Sequence, residues 1–297
     1  MKRFLRMIIF FSLGLAALNA AVFAIVAPLV DGEGYLKKVS GMPEGMQGIV
    51  LADSHGTRLD DAALGSAGIA NLSEGSDSYD DMLNKLEYSI RHYPIGLVIL
   101  TADGHCLSKY REYTNNLDKS SLLVGGNGYK AVLRQVLPLL DPKSRDLFKA
   151  SVSARFSRAL ARGASPTASL TSPTLPWKDN PDRARLAARR AETQFKFAEP
   201  SRRLGTTLDR IAGLCEERGI RLVGLRFPLS GDYLREIGGR DYGAATRLKT
   251  LDTKIIDGES LYADRDELFK DQDHLSQEGG RLFTRLLLDE LRSGGYR

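Results

Sequence analysis

Cysteine, histidine and tryptophan are scarce in this chain. Its 297 residues include two cysteines, Cys106 and Cys215, four histidines and one tryptophan. Two cysteines do not make a disulfide framework, so we expect two free and mostly buried thiols. The histidines are scattered and the cysteines lie far apart in sequence, which excludes the ligand spacing of a zinc site. We therefore expect no metal centre.

Nucleic-acid-binding motifs are also missing, although the net charge is +5 and the pI is about 9.1. Much of the positive charge lies in the N-terminal tip and in residues 183–203. We expect no nucleic-acid partner. Such charge suits an anionic membrane or glycan, but a solvated helix face is the favoured interpretation. The remaining composition, 42% hydrophobic and 27% charged, is typical of a globular protein with a sizeable core.

An uncharged apolar run covers residues 7–30, directly after a basic N-terminal tip. About 20 apolar residues span a bilayer, whereas the core of a signal peptide is usually 7–15 residues long. The length predicts an uncleaved single-pass anchor, residues 1–30, in the inner membrane. The basic tip would stay in the cytoplasm and the rest of the chain would face the periplasm. A signal peptide cleaved near Ala20 or Ala24 is the alternative.

The stretch that organises the rest of the chain is Gly48-Ile-Val-Leu-Ala-Asp53-Ser54-His55-Gly56. A short apolar run that ends in small polar residues predicts a buried strand followed by a turn. In an open α/β sheet, chemistry gathers beyond the carboxyl ends of the strands, where Ser54 would lie. A serine hydroxyl is a weak nucleophile and needs a base that is itself oriented by an acceptor.

Near the C-terminus, Asp271-Gln-Asp273-His274 offers that base and acceptor. Residues three apart on one turn can face each other, so Asp271 could orient the imidazole of His274. Asp273 is the alternative partner, but adjacent side chains on a turn point apart. Ser54, His274 and Asp271 together predict a catalytic triad.

These two motifs in this order resemble the SGNH/GDSL hydrolase superfamily. The group that the chain most resembles is the membrane-anchored bacterial proteins of cellulose and alginate O-acetylation, and more distantly the D-alanine transfer protein of teichoic acid synthesis. The resemblance covers roughly residues 48–110 and 220–292. It implies an acyl-enzyme mechanism without a diffusible cofactor.

The resemblance also implies an oxyanion hole made from two further blocks. The block after the second strand supplies one donor, which matches Gly75, with Asn71 as a second candidate. The third block usually carries Gly-x-Asn-Asp, but this chain has Asp103-Gly-His105 at that point. We expect Asp103 or His105 to shape the site. His105 could instead be a polar residue satisfied by its own loop.

Strand patterns alternate with helical ones from residue 48 onward, which predicts an α/β domain with a parallel, doubly wound sheet. The resemblance implies a flavodoxin-like, three-layer arrangement. We predict a linker at residues 31–47 and a catalytic domain at 48–297, interrupted by an insertion at about 130–200. The insertion would hold helices at 130–140 and 144–162, a Ser/Thr/Pro-rich loop at 163–180 and a basic helical stretch at 183–190.

The function implied by the resemblance is O-acyl transfer, most simply acetyl transfer, to an exopolysaccharide in the periplasm. The implied partners are the polysaccharide acceptor and a membrane-bound O-acyltransferase that supplies the acyl group. Two alternatives remain open at this point. One is a carbohydrate acetylesterase with the same triad, and the other is a non-catalytic glycan-binding subunit of a polysaccharide acetylation complex.

Overall fold

A computed structural model describes residues 2–26, 32–125 and 175–295. The chain divides into two compact units. The described part of one unit consists of the N-terminal helix and the residues up to Tyr35, with Gly125. The other unit comprises Leu36–Val124 and the described residues after 174, and all candidate site residues belong to it.

A five-stranded, fully parallel sheet forms the centre of the second unit. The strand order is β2-β1-β3-β4-β5, which is the flavodoxin-like order. The strands are β1 (Gly48–Leu51), β2 (Ile69–Asn71), β3 (Leu97–Thr101), β4 (Arg221–Arg226) and β5 (Lys254–Asp257). The α/β class and the parallel sheet predicted from the sequence are confirmed, with strand ends that differ by one or two residues.

Helices connect the strands. In chain order they are α1 (Lys2–Val26), α2 (Gly32–Ser40), α3 (Asp61–Ser66), α4 (Tyr79–His92), α5 (Tyr110–Tyr113), α6 (Leu117–Ser120), α7 (Arg183–Gln194), α8 (Arg202–Glu217), α9 (Gly231–Ile237), α10 (Ala244–Thr250) and α11 (Gln277–Ser293). Short 3-10 turns lie at Gly56–Arg58, Ser121–Val124, Trp177–Asp179 and Asp266–Leu268.

The sheet is buried on both faces, so every residue of β1 and β3 is buried and both strands are apolar up to Thr101 at the end of β3. Val50 and Ile99 face a cluster that includes Phe283, Leu287 and Leu291 of α11. On the opposite face, α4 and α8 pack against each other, and α8 and α10 contact β4. This is the three-layer arrangement that the resemblance implied. Burial of apolar area on both faces is the main stabilising term for such a sheet.

Several sequence predictions differ from the structure or fall on residues that it does not describe. The segment 31–47, predicted as a polar linker, contains the helix α2. The basic stretch 183–190 is helical as predicted, but it is not merely a solvated face, because α7 buries Ala187, Ala191 and Gln194. The predicted helices at 130–140 and 144–162, and most of the loop at 163–180, lie outside the described residues. Both cysteines are free and buried, as predicted.

The N-terminal helix α1 is long and apolar enough to cross a membrane. Its apolar window, Arg3–Val22, has a mean hydropathy of 1.9. A helix of 25 residues is about 37 Å long, against a hydrocarbon thickness of about 30 Å. Its large side chains are exposed to the surroundings, Phe4, Phe10 and Phe11 among them. A signal sequence near an N-terminus meets the same criteria of length and composition.

Candidate active site

Ser54 lies in a tight turn directly beyond the carboxyl end of β1. The backbone N–H of Gly56 donates to the carbonyl of Asp53 at 3.2 Å, and the hydroxyl of Thr57 donates to the carbonyl of Ser54 at 2.7 Å. Gly56 is required by close packing, because a Cβ there would lie 2.2 Å from Ser73 Oγ. The turn therefore holds the Ser54 hydroxyl at the edge of the sheet.

The position of β1 explains why the site forms here. The order β2-β1-β3 places β1 between neighbours whose connections run in opposite directions along the sheet. That point leaves a crevice outside the carboxyl ends of the strands, where ligands bind in open α/β sheets. Ser54 stands at this switch point, as the sequence predicted.

His274 reaches the same point from the loop between β5 and α11. Within this loop, Phe269 and Leu275 form an antiparallel bridge on either side of Asp271 and His274. Ser230, which follows β4, anchors the middle of the loop by donating its hydroxyl to the carbonyl of Gln272 at 2.8 Å. Ser276 then caps the N-terminus of α11, so the imidazole is carried by a fixed turn.

Ser54, His274 and Asp271 form a continuous chain of hydrogen bonds. Nε2 of His274 lies 2.8 Å from Ser54 Oγ, and Nδ1 of the same ring lies 2.7 Å from Asp271 Oδ1. With Nδ1–H donated to the carboxylate, Nε2 is the free base that accepts the hydroxyl proton. The structure thus brings together the three residues that the sequence nominated as a triad.

His274 is stabilised in its protonated form. Burial opposes the charge, but the hydrogen bonds to Asp271 and Asp273 outweigh it and raise the pKa of His274 above its usual value. The Asp271 carboxylate is 32% exposed, whereas that of Asp273 is fully buried. An imidazole held beside carboxylates is suited to take up a proton from Ser54 and return it.

Gly75 lies in the loop that follows β2, the strand next to β1. Two backbone bonds extend the pairing of β1 and β2 beyond the strands, from Leu72 N–H to Val50 and from Glu74 N–H to Ala52. Gly75 follows directly, and no heavy atom lies within 4 Å of the place where its Cβ would stand. Its N–H donates weakly, at 3.3 Å, to the side chain of Glu74. The loop therefore presents Gly75 on an open side, next to the nucleophile turn.

Asn71 does not offer a donor to a substrate, contrary to the expectation from the resemblance. Its Nδ2 group donates to the carbonyl of Gly56 at 3.0 Å and to Asp61 at 2.8 Å, while its Oδ1 accepts from Ser73 N–H. Both amide hydrogens are used within the protein. Asn71 braces the Ser54 turn instead.

Asp103 and His105 lie beneath the site rather than facing it, which corrects the second expectation. Both are almost completely buried. Asp103 accepts from Phe227 N–H at 2.7 Å and contacts His55 Nδ1 at 2.6 Å, and His105 Nε2 contacts Asp53 at 3.0 Å. Burial lowers the pKa of His105 in spite of that contact. His105 is thus satisfied within the fold, the alternative that the sequence left open.

Asp53 is the centre of a buried ionic network. Its Oδ2 accepts from Arg111 at 3.0 Å as well as from His105, and its Oδ1 caps the N–H of His55 at 3.0 Å. Burial alone would raise the pKa of Asp53, but His55 and Arg111 outweigh it and hold the pKa well below the usual value. The carboxylate therefore stays charged and rigid directly before Ser54.

His55 is buried between two carboxylates. Its Nδ1 lies 2.6 Å from Asp103, and its Nε2 lies 3.5 Å from Asp273. Burial opposes the charge, yet Asp53 and Asp103 hold the pKa of His55 well above its usual value. With both ring nitrogens facing carboxylate oxygens, His55 is an imidazolium. The sequence carries no signal for this role, because Asp103 and Asp273 are 48 and 218 residues away from His55.

Three groups in this region could bring donor atoms within 4.8 Å of one another, as a metal ion would need: Asp53, His55 and His105; His55, Asp273 and His274; Asp103, His105 and Cys106. Two of these carboxylates already carry arginine partners. Arg111 pairs with Asp53 at 3.0 Å and Arg190 pairs with Asp273 at 2.6 Å. Two of the three groups therefore contain a carboxylate that is already paired with an arginine of the chain.

The described residues define an α/β protein with a Ser-His-Asp set at the switch point of a parallel sheet. Two crystal structures of Bacteroides proteins are similar to this chain. A "putative acylhydrolase" from Bacteroides fragilis has a TM-score of 0.44 at 10% identity, over 88% of this chain and 95% of the other. A GDSL-like lipase from Bacteroides thetaiotaomicron has a TM-score of 0.44 at 8% identity, over 89% and 98%. No protein-family model and no curated protein matches the chain.

Proposed function

We propose that this protein is a serine O-acyltransferase of the SGNH type, which transfers an acyl group, most simply acetyl, to a hydroxyl of an exopolysaccharide. One observation carries the proposal. Ser54 Oγ, His274 and Asp271 are joined by hydrogen bonds of 2.8 and 2.7 Å at the edge of the sheet where ligands bind. That geometry is the requirement for an activated serine nucleophile.

The reaction follows from these positions. His274 Nε2 takes the Ser54 proton as Ser54 Oγ attacks the carbonyl carbon of an acyl ester. In this proposal the N–H groups of Ser54 and Gly75 hold the developing oxyanion. The donor alcohol then leaves with the proton from His274, and the acyl group remains on Ser54. A sugar hydroxyl attacks this ester and gives its proton to His274. The bond between Ser54 Oγ and the acyl carbon then breaks, His274 returns the proton to Ser54, and the acylated sugar departs.

A surface groove supports a glycan acceptor. It has a volume of about 430 Å³ and lies between α5 and α7, lined by Tyr110, Tyr113, Glu192, Thr193, Lys196 and Phe197. Tyr113 is 76% exposed. Aromatic rings with polar tips offer a sugar an apolar face and hydrogen-bonding partners at once. The opposite side of α7 carries Arg190 and Gln194, which contact Asp273 beside His274.

The acceptor assay separates transfer from hydrolysis. We expect slow hydrolysis of a small acetyl ester, and faster acetyl transfer once a β-linked oligosaccharide is added. The measurement is the partition, by mass spectrometry, between acetylated oligosaccharide and free acetate. If only acetate forms with every acceptor, and a membrane-bound O-acyltransferase does not change this, the carbohydrate acetylesterase is the correct function.

A variant of Tyr113 tests whether the groove binds the acceptor. Tyr113→Ala is expected to raise the KM for the oligosaccharide by about 3- to 10-fold, the loss of one aromatic contact. Hydrolysis of the small ester should not change, since Tyr113 touches no member of the triad set. Tyr113→Phe keeps the ring and serves as the matched control. Equal acceptor KM values for all three proteins would remove the groove from the proposal.

We also propose that α1 anchors the protein in the inner membrane with the sheet-bearing unit in the periplasm. Confinement to one surface raises the effective concentration of the acyl donor, the polymer and the enzyme for one another. We expect a C-terminally tagged protein to remain with the membranes after a salt wash and to keep its original N-terminus. A soluble periplasmic form that starts near Ala20 or Ala24 would identify a cleaved signal instead.

A further inference from the structure

Two carboxylates, not one, meet the same nitrogen of His274. Nδ1 lies 2.7 Å from Asp271 Oδ1 and 3.2 Å from Asp273 Oδ1. Asp271 Oδ1 also accepts the backbone N–H of His274 at 3.0 Å, so its position is set by its own turn. Its carboxylate is partly exposed, whereas that of Asp273 has no solvent exposure. Solvent screens the first charge far more than the second.

Asp273 is fixed from behind by a different part of the chain. Its Oδ2 accepts from Arg190 Nε at 2.6 Å and from Gln194 Nε2 at 3.2 Å, both on α7. The same oxygen lies 3.5 Å from His55 Nε2. Burial opposes the charge, but Arg190, the contact with His274 and the contact with His55 outweigh it and hold the pKa of Asp273 well below its usual value. The carboxylate is therefore charged, dry and unable to turn.

Among the described residues, charged or titratable groups from three parts of the chain act on the His274 ring. Asp271 and Asp273 come from its own loop. His55 comes from the turn after β1, with its ring centroid 5.2 Å from that of His274 and nearly perpendicular to it. Arg190 of α7 acts through Asp273. The carboxylates favour the protonated imidazole, while His55 and Arg190 oppose it.

We propose that Asp273 is a second acceptor for the Nδ1–H of His274, and that Arg190 is a positioning residue that sets how much of its negative charge the imidazole feels. The proposal rests on the acyl-transfer function above. A general base works best when its pKa lies near the working pH. Two uncompensated carboxylates would hold His274 protonated, so one of them is offset by a fixed guanidinium.

The test is the pH dependence of kcat/KM for a small acetyl ester, measured on the full chain. Activity requires neutral His274, so it falls on the acid side of the His274 pKa. Asp273→Asn removes a negative charge and is expected to shift this acid limb to lower pH by about one unit. Arg190→Gln leaves Asp273 uncompensated and is expected to shift the limb to higher pH by a similar amount. A variant that only loosens the structure would not shift the acid limb to lower pH in Asp273→Asn and to higher pH in Arg190→Gln.

Two arginine variants complete the design. Arg190→Lys keeps the charge, so the acid limb of its pH profile should lie close to the wild-type pH. The maximum value of kcat/KM should be lower than in the wild type. Arg185→Gln is the matched control on the same helix, because Arg185 is exposed and pairs with Asp182 at 2.9 Å. Its limb should coincide with that of the wild type. Near-UV circular dichroism and thermal melts establish that each variant is folded.

The outcomes are distinct. If Asp273→Asn does not fold, the test rests on Arg190→Gln alone. A shift of its acid limb to higher pH supports the proposal, and an acid limb at the wild-type pH or at lower pH overturns it. If both variants fold and both limbs stay at the wild-type pH, Asp273 is not an acceptor in the reaction. Failure of the proposed function has a different signature, which is full turnover by Ser54→Ala.

Discussion

Ser54→Ala and His274→Ala are each expected to lower kcat/KM for an acetyl ester by about 10⁴- to 10⁶-fold. The reason is geometric. The proton of Ser54 has one acceptor at 2.8 Å, His274 Nε2, and without it the hydroxyl is too weak a nucleophile at neutral pH. Initial rates with a chromogenic acetyl ester measure the loss directly.

The double variant Ser54→Ala/His274→Ala should be little worse than either single one, because the members of a triad act as a unit. The control is His92→Ala. His92 lies exposed at the end of α4, where its Nδ1 contacts the carbonyl of Tyr88 at 2.8 Å. Its removal should leave turnover unchanged. Losses that multiply in the double variant would mean that Ser54 and His274 work independently.

Lys85→Met is expected to destabilise the fold by about 3–5 kcal/mol. The Lys85 side chain is 1% exposed, and its ammonium contacts Asp77 Oδ2 and the carbonyl of Leu72, both at 2.5 Å. Methionine has a similar volume but removes the ammonium and both of its contacts. Burial already raises the pKa of Asp77 to about 7 with Lys85 in place, so without Lys85 the carboxyl takes up a proton at neutral pH, and the carbonyl of Leu72 is left without this donor. Urea unfolding followed by circular dichroism at neutral pH gives the change in the free energy of unfolding.

Two further variants isolate the cause. Lys85→Met/Asp77→Asn puts a neutral amide in place of the buried carboxyl, which needs no proton uptake, and should recover part of the stability. Arg91→Met, on the exposed end of the same helix, should change the free energy of unfolding by no more than about 0.5 kcal/mol. Equal losses in Arg91→Met and Lys85→Met would show that helix propensity, and not the buried ion pair, is responsible.

The ion pair of Lys85 and Asp77 also supports the loop that carries Gly75. Asn116 Nδ2 donates to Asp77 Oδ1 at 2.9 Å and to the carbonyl of Gly75 at 2.7 Å. Arg111 donates to the carbonyl of Asp77 and to Asp53, so it ties the Gly75 loop to the turn of the nucleophile. A loosened Asp77 should therefore move Gly75 away from the oxyanion position.

The triad and the sheet could be predicted because their signals are local. Short apolar runs such as Ile49–Leu51 and Leu97–Leu100, each followed by polar residues, favour buried parallel strands. Ser54 follows one of them directly. Asp271 and His274 are three residues apart, so their contact needs a single turn and no knowledge of the rest of the fold.

The charges around the triad could not be predicted in the same way. Arg190 and Asp273 are 83 residues apart in sequence, and Arg111 and Asp53 are 58 apart. In sequence, Arg190 is one of several arginines on a basic helix, and only the packing of α7 shows which of them turns inward. Asp103 and His105 were placed correctly at a strand end. Their burial depends on the neighbouring turn that holds His55, so their direction could not be inferred.

The most direct test of the account is the covalent intermediate. The protein is mixed with an acetyl ester, quenched in acid within the first turnover and digested for mass spectrometry. We expect the acetyl group on the peptide that contains Ser54, and its absence from Ser54→Ala and His274→Ala. Acetylation of another residue, or continued turnover by Ser54→Ala with no acetylated peptide, would contradict the account.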